Sequence, residues 1–161
     1  MSDSRHDPVL GSGAEPADGP LGRLVVVADN RVAAALSDIA AATGWEVLHL
    51  ASVPSTEEAG ALGHVDALVL CDHDADGGYD LLRGALRAGV GYVAMMASRH
   101  RSGALLEALR TEGFADDALD RLHVPAGLRT GGRTPGEIAL SVMAEVVADR
   151  HGEHGGPMRG H

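Results

Sequence analysis

Aromatic side chains are nearly missing from this chain, at 2% of its residues. Its core therefore has to be built from alanine, valine, leucine and isoleucine. That suits a layered α/β domain and implies no function by itself. Cysteine is scarcer still: Cys71 stands alone, so no internal disulfide can form. Positive charge is in deficit, with 13 Lys+Arg against 23 Asp+Glu, a formal net charge of −10 and no basic run. A duplex-nucleic-acid binder needs a basic face to displace counterions, which argues against nucleic acid and anionic membrane as partners. The acidic surface serves solubility, or a basic protein partner. No apolar run reaches the roughly 20 residues that a bilayer-spanning helix needs. Met1 to Pro20 carries no hydrophobic signal segment, so the cytoplasm is the expected location.

What the chain does have is 161 residues, 45% of them apolar, enough for one domain with a sizeable core. Residues 1–21 are rich in Ser, Asp, Gly and Pro and read as a disordered tail. Residues 151–161 read as a second flexible tail, leaving 22–150 as the domain. Within it the pattern alternates. Leu24 to Ala28 is a short continuous apolar run, as expected of a strand covered on both faces. Val32, Ala35, Leu36, Ile39 and Ala40 recur at helical spacing up to Gly44. Glu46–Leu50, Asp66–Cys71, Tyr92–Met96 and His123–Val124 read as further strands. Helices are expected at Tyr79–Ala88, ended by Gly89, and at Ser102–Glu112, ended by Gly113, with a helical turn at Asp116–Leu122. A last helix opens on Thr134-Pro135-Gly136-Glu137, a capping box with proline at the first helical position. Strands alternating with helices give an α/β, three-layer Rossmann-like sandwich whose five parallel strands run in the order 2-1-3-4-5.

Ligands of such sheets bind beyond the carboxyl ends of the strands, at the point where strand order reverses. Four loops lie there: Asp29–Arg31, Asp72–Gly78, Ala97–Arg101 and Pro125–Thr134. The first lacks the Gly-x-Gly-x-x-Gly that lets backbone approach a pyrophosphate. Asp29 or Asn30 reads instead as a helix cap, and an aspartate there would repel a phosphate. Strand two also ends without the acidic residue that grips a ribose. Both gaps argue against NAD(P) in its usual pose. Asp72-His73-Asp74-Ala75-Asp76 offers a metal-ligand set, a His–Asp acid/base pair, or a plain polar strand end with aspartate turns. Ser98 caps the next helix, and Arg99 either lies over the site or pairs with Asp72 or Asp74. Arg133, among glycines before the last helix, suits an anion.

Gly91-Tyr92-Val93 followed by Ser98-Arg99, Asp72-His73-Asp74, and the block His123-Val124-Pro125-Ala126-Gly127-Leu128, Gly131 to Pro135 and Glu137 to Glu145 together resemble the XdhC/CoxI family. The likeness runs from about Asp66 to Arg150. The family pattern usually has glycines where this chain has Ala94 and Ala97, a glycine-rich turn after strand one, and a further N-terminal domain. The resemblance implies a maturation factor for molybdenum hydroxylases of the xanthine or carbon monoxide dehydrogenase type. It would be a non-catalytic protein that handles molybdenum cofactor, as molybdopterin or its dinucleotide, and helps insert it. Its partners would be the apo-hydroxylase or another maturation subunit, and a homodimer is compatible with the fold. Asn30, Arg31, His73, Ser98, Arg99 and Arg133 are the residues expected to line the cofactor cleft, with no catalytic residue and no bound metal. The alternatives are a small NAD(P)-dependent oxidoreductase and a degenerate scaffold without ligand.

Overall fold

The computed structural model describes residues 21–55, 57 and 61–159; of the expected tail at 1–21, residues 1–20 lie outside them, and Leu21 packs against the core. Strands β1 (Arg23–Val27), β2 (Glu46–Leu50), β3 (Ala67–Leu70), β4 (Tyr92–Met95) and β5 (Leu122–His123) form one sheet in the order β2-β1-β3-β4-β5. Every pairing is parallel, as the alternating pattern predicts.

Period-two alternation divides the sheet's side chains between two cores. Val25, Val27, Leu68, Leu70, Val93 and Met95 face α2 (Gly78–Ala88), α3 (Arg99–Thr111) and the single turn α4 (Asp116–Leu119). Leu24, Val26, Ala67, Val69, Tyr92 and Ala94 face α1 (Arg31–Ala42) and α5 (Pro135–Arg150), which also pack on each other. Strand β2 forms the sheet edge next to β1 and leaves Leu48 exposed.

Helix ends follow from local chemistry. Asn30, Ser98 and Thr134 cap α1, α3 and α5 with side-chain oxygens, and left-handed Gly77 and Gly89 bracket α2. The capping box at Thr134 is complete, with Glu137 returning its carboxylate to the cap backbone. Helix α3 begins at Arg99, earlier than the expected Ser102. Its first turn is polar, Arg-His-Arg, and its apolar spacing starts only at Leu105, so periodicity missed the cap-defined start. Strand β5 likewise sits one residue earlier than expected, at Leu122–His123.

Candidate functional site

At the carboxyl end of β1 the backbone turns through Ala28, whose φ of 147° is one that non-glycine residues rarely adopt. Ala28 N donates to Leu50 O at 2.9 Å, and His49 Nε2 lies 2.7 Å from Ala28 O. Asn30 then spends both polar atoms on the fold. Its Oδ1 accepts from Ala33 N at 2.9 Å, and its Nδ2 donates to Cys71 O at 3.1 Å. That second bond crosses from the β1 turn to the end of β3, directly over the strand-order reversal. Ala33 N, an N–H that a pyrophosphate at the α1 N-terminus would use, is engaged by Asn30 Oδ1, and of the two candidate caps Asn30 is the one used.

Beyond β3, burial pushes the Cys71 thiol up to about 12. Asp72 Oδ1 accepts from Asp74 N at 2.9 Å in a local turn. His73 Nε2 lies 3.2 Å from Asp74 Oδ2, and Arg101 Nη1 lies 3.2 Å from Asp74 Oδ1. Asp72, His73 and Asp74 hold their ligand atoms within 4.8 Å of one another. Asp74 is already shared between a histidine and an arginine, which lowers the charge it can offer a cation. The arginine beside Asp74 is therefore Arg101, in place of the pairing considered for Arg99.

Ser98 Oγ accepts from Arg101 N at 3.2 Å, and Ser98 O accepts from Ser102 N and Ser102 Oγ at 3.0 and 2.8 Å. Ser98 is thus a structural cap. Arg99, at the first residue of α3, is exposed and lines a groove of about 690 Å³. Arg99, Ser102, Gly103 and Leu106 of α3 form one wall, and residues Val124 to Arg129 form the other. The second wall is rigidly hung. Ala126 N donates to Met95 O at 3.1 Å, Gly127 N to Glu145 Oε1 at 3.1 Å, and Leu128 N to Ser141 O at 3.1 Å. Gly127 has φ 103°, and a Cβ there would meet Ser141 Oγ at 2.6 Å, so this position requires glycine.

The six residues expected in one cleft are spread along the rim. His73 lines a depression of about 390 Å³ with Arg101, separate from the Arg99 groove. Asn30 and Ser98 are committed to caps. Arg31, Arg99 and Arg133 are exposed, and among the described residues none of their guanidinium groups pairs with a carboxylate, although Arg133 N donates to Glu137 Oε1 at 3.3 Å. Arg129 shares that property and was not singled out from sequence.

Sequence reasoning also missed a polar cluster behind the groove wall. Tyr92 OH donates to Glu145 Oε1 at 2.7 Å. The His123 ring stacks on Tyr92 with centroids 4.4 Å apart, Nδ1 3.5 Å from Glu145 Oε1 and Nε2 3.4 Å from Asp149 Oδ1. His123 Nε2 is buried and makes no hydrogen bond among the described residues. Burial, then the Glu145 charge, pushes the Tyr92 hydroxyl well above its ordinary range. Glu145 thus ties β4, β5 and the groove wall to α5.

The model of the XdhC Rossmann domain matches residues 24–146. The chain belongs to that family. It is 26% identical over 139 residues to PaoD of Escherichia coli (strain K12), a molybdenum cofactor insertion chaperone, an alignment covering 86% of this chain and 43% of PaoD. It is 38% identical over 69 residues to the uncharacterized protein YqeB of Escherichia coli (strain K12), covering 43% of this chain and 13% of YqeB. A crystal structure from Bacillus halodurans, described as a xanthine dehydrogenase, aligns with a TM-score of 0.64 at 18% identity, over 81% of this chain and 43% of that one. At that identity the likeness shows the fold. The chain thus spans less than half the length of each of these relatives. The family match bears out the resemblance carried by the three motif blocks. Among the described residues no helix is long and apolar enough to cross a membrane.

Proposed function

We propose that this XdhC-family domain is a non-catalytic accessory factor in the maturation of a molybdenum hydroxylase of the xanthine or carbon monoxide dehydrogenase type. Its cargo is molybdenum cofactor, as molybdopterin or its dinucleotide. Its partner is the cytoplasmic apo-hydroxylase or a further maturation subunit, and a homodimer is a third assembly. The name of PaoD supports the cargo, and the family match over most of the domain supports the setting.

The observation that carries the reading is the set of exposed arginines on the carboxyl rim, their guanidinium groups without carboxylate partners among the described residues, in a chain of net charge −10. The guanidinium fork matches phosphate oxygens two at a time. The donor set therefore fits the phosphate of a pterin cargo. Arg99, with Arg31 and Arg133 on neighbouring rim loops, supplies the charge. Asn30 and Ser98 hold those loops in place, and His73 presents an imidazole beside Asp74. The domain binds and orients; it makes no covalent step. Cys71 supports this, because a buried thiol pushed up to about 12 is a poor nucleophile. The Asn30 cap argues against the oxidoreductase alternative by engaging an N–H that NAD(P) would use.

The test is calorimetric titration with released molybdenum cofactor and with NADPH, alongside Arg99→Glu, and pull-down of the apo-hydroxylase. Cofactor binding weakened in Arg99→Glu, with capture of the apo-enzyme, is expected. Tight NADPH binding with no affinity for the cofactor would overturn the reading.

A further inference from the structure

Three properties of the groove between α3 and residues Val124–Arg129 bear on what it can bind. First, each wall carries an exposed arginine, Arg99 on one and Arg129 on the other, and among the described residues the lining contains no carboxylate. In a chain with ten more acidic than basic residues, a carboxylate-free lining that holds two arginines is a local reversal of charge. Second, the rest of the lining is largely apolar or small: Leu106, Val124, Pro125 and Leu128. Third, α3 carries a glycine in its interior at Gly103, where glycine costs helix stability relative to alanine. A Cβ at Gly103 would meet nothing within 4 Å. No neighbour among the described residues requires the missing side chain, and its effect is to keep one wall of the groove flat.

The groove wall also limits what kind of ligand fits. Its N–H groups at Ala126, Gly127 and Leu128 are already donated to Met95 O, Glu145 Oε1 and Ser141 O. An extended peptide would look to such groups for main-chain hydrogen bonds and find them engaged. The recognition left to the groove is apolar contact against a flat wall together with guanidinium pairing from the arginine on each wall. That combination suits a rigid ring bearing a phosphate.

We infer that this groove is a binding site for a planar phosphorylated heterocycle, with the ring laid against Gly103, Leu106 and Val124 and the phosphate held by Arg99 and Arg129. The inference rests on the cargo reading above and deepens it, because it assigns the cargo to the Arg99–Arg129 groove and away from the strand-order reversal. A pterin phosphate and a mononucleotide share this chemistry, and the experiment separates them.

The test titrates the full chain with guanosine monophosphate, released molybdopterin and inorganic phosphate, each against wild type, Arg129→Glu, Gly103→Leu, Gly103→Ala and Arg110→Gln. Arg110 is exposed at the far end of α3 and serves as the control. At least one of the two ring ligands should bind more tightly than inorganic phosphate, and which of them does identifies the ring. Arg129→Glu should weaken it by about tenfold or more, as the loss of one guanidinium–phosphate pair requires. Gly103→Leu should abolish ring binding while its own melting temperature stays at or above that of wild type, so that loss of binding is not loss of fold, and Gly103→Ala should likewise raise the melting temperature. Arg110→Gln should leave affinity within about twofold, since screened charges outside the groove act weakly. Ring binding that Arg129→Glu and Gly103→Leu leave intact would overturn the site. So would failure of both rings to bind. Capture of the apo-hydroxylase by the same variants is read separately: if it persists while ring binding is absent, the site assignment falls and the accessory role stands.

Discussion

Replacing Tyr92 by phenylalanine isolates one bond in the polar cluster. The ring is buried, with 3% of its surface exposed, and phenylalanine keeps its shape, so no cavity opens. What is lost is the 2.7 Å bond from the hydroxyl to Glu145 Oε1. Hydrogen bonds to a charged group contribute about 1.5–3 kcal/mol. Glu145 keeps its bond from Gly127 N, and its side chain retains 17% exposure, so water replaces part of what is removed. A loss of about 1.5–2 kcal/mol is expected. For a domain of this size that lowers the melting temperature by roughly 5–8 °C. Urea unfolding of wild type, Tyr92→Phe, Glu145→Gln and the double variant measures it, and the cycle should return a coupling of about 1 kcal/mol or more. The alkaline limb is a second readout. The hydroxyl titrates higher in the folded state than in the unfolded chain. Its contribution is therefore complete below the unfolded tyrosine value, near 10, and is lost as pH rises through the folded value. Tyr92→Phe should flatten that fall. A loss below about 0.5 kcal/mol, or a coupling near zero, would refute the assignment of Glu145 as the tie between β4 and α5.

Cys71 should react with a disulfide reagent at pH 8 about a thousandfold or more slower than free cysteine, and at full rate in urea, because its thiol titrates near 12 in the fold. A fast native reaction would sink this. The same shift removes stability as pH rises from about 9 to about 12, and Cys71→Ala should lessen that loss. Ala28→Gly should stabilise the domain by about 0.5–1 kcal/mol in urea unfolding, since relief of an unfavourable φ outweighs the added chain entropy; a destabilised variant would contradict it. Thr134→Ala removes the cap of α5 and should cost about 1 kcal/mol in the same assay, against no change if the cap were idle.

The order of the sheet was legible because its strands are short unbroken apolar runs separated by helical spacing, and because caps such as Thr134-Pro135 are local signals. Element ends were less so. The polar first turn of α3 hides its start from any count of apolar positions, although Ser98 marked it. The motif blocks identified the family and contained Tyr92, His123 and Glu145. Nothing in the spacing said that these three meet, because the contact between Tyr92 and Glu145 closes a separation of 53 residues. The rim arginines show the same limit. Arg99 and Arg133 stood beside obvious caps and glycines, whereas Arg129 acquires its position only when the 124–129 wall folds across from α3. Arg101, passed over in the sequence, is the residue that neutralises Asp74.

The division of the sheet between two separate cores has a consequence for synthesis. One face is covered by α2, α3 and α4, segments that follow one another and can close over β1, β3 and β4 as they leave the ribosome. The other face is shared by α1 and α5, the first and last of the described helices. Until Pro135–Arg150 has emerged, α1 is the only helix among the described residues that covers Val26, Val69 and Ala94. The nascent domain therefore passes through a state that is sealed on one side and adhesive on the other, and a chain stopped before α5 would stay there, open to association with its own copies.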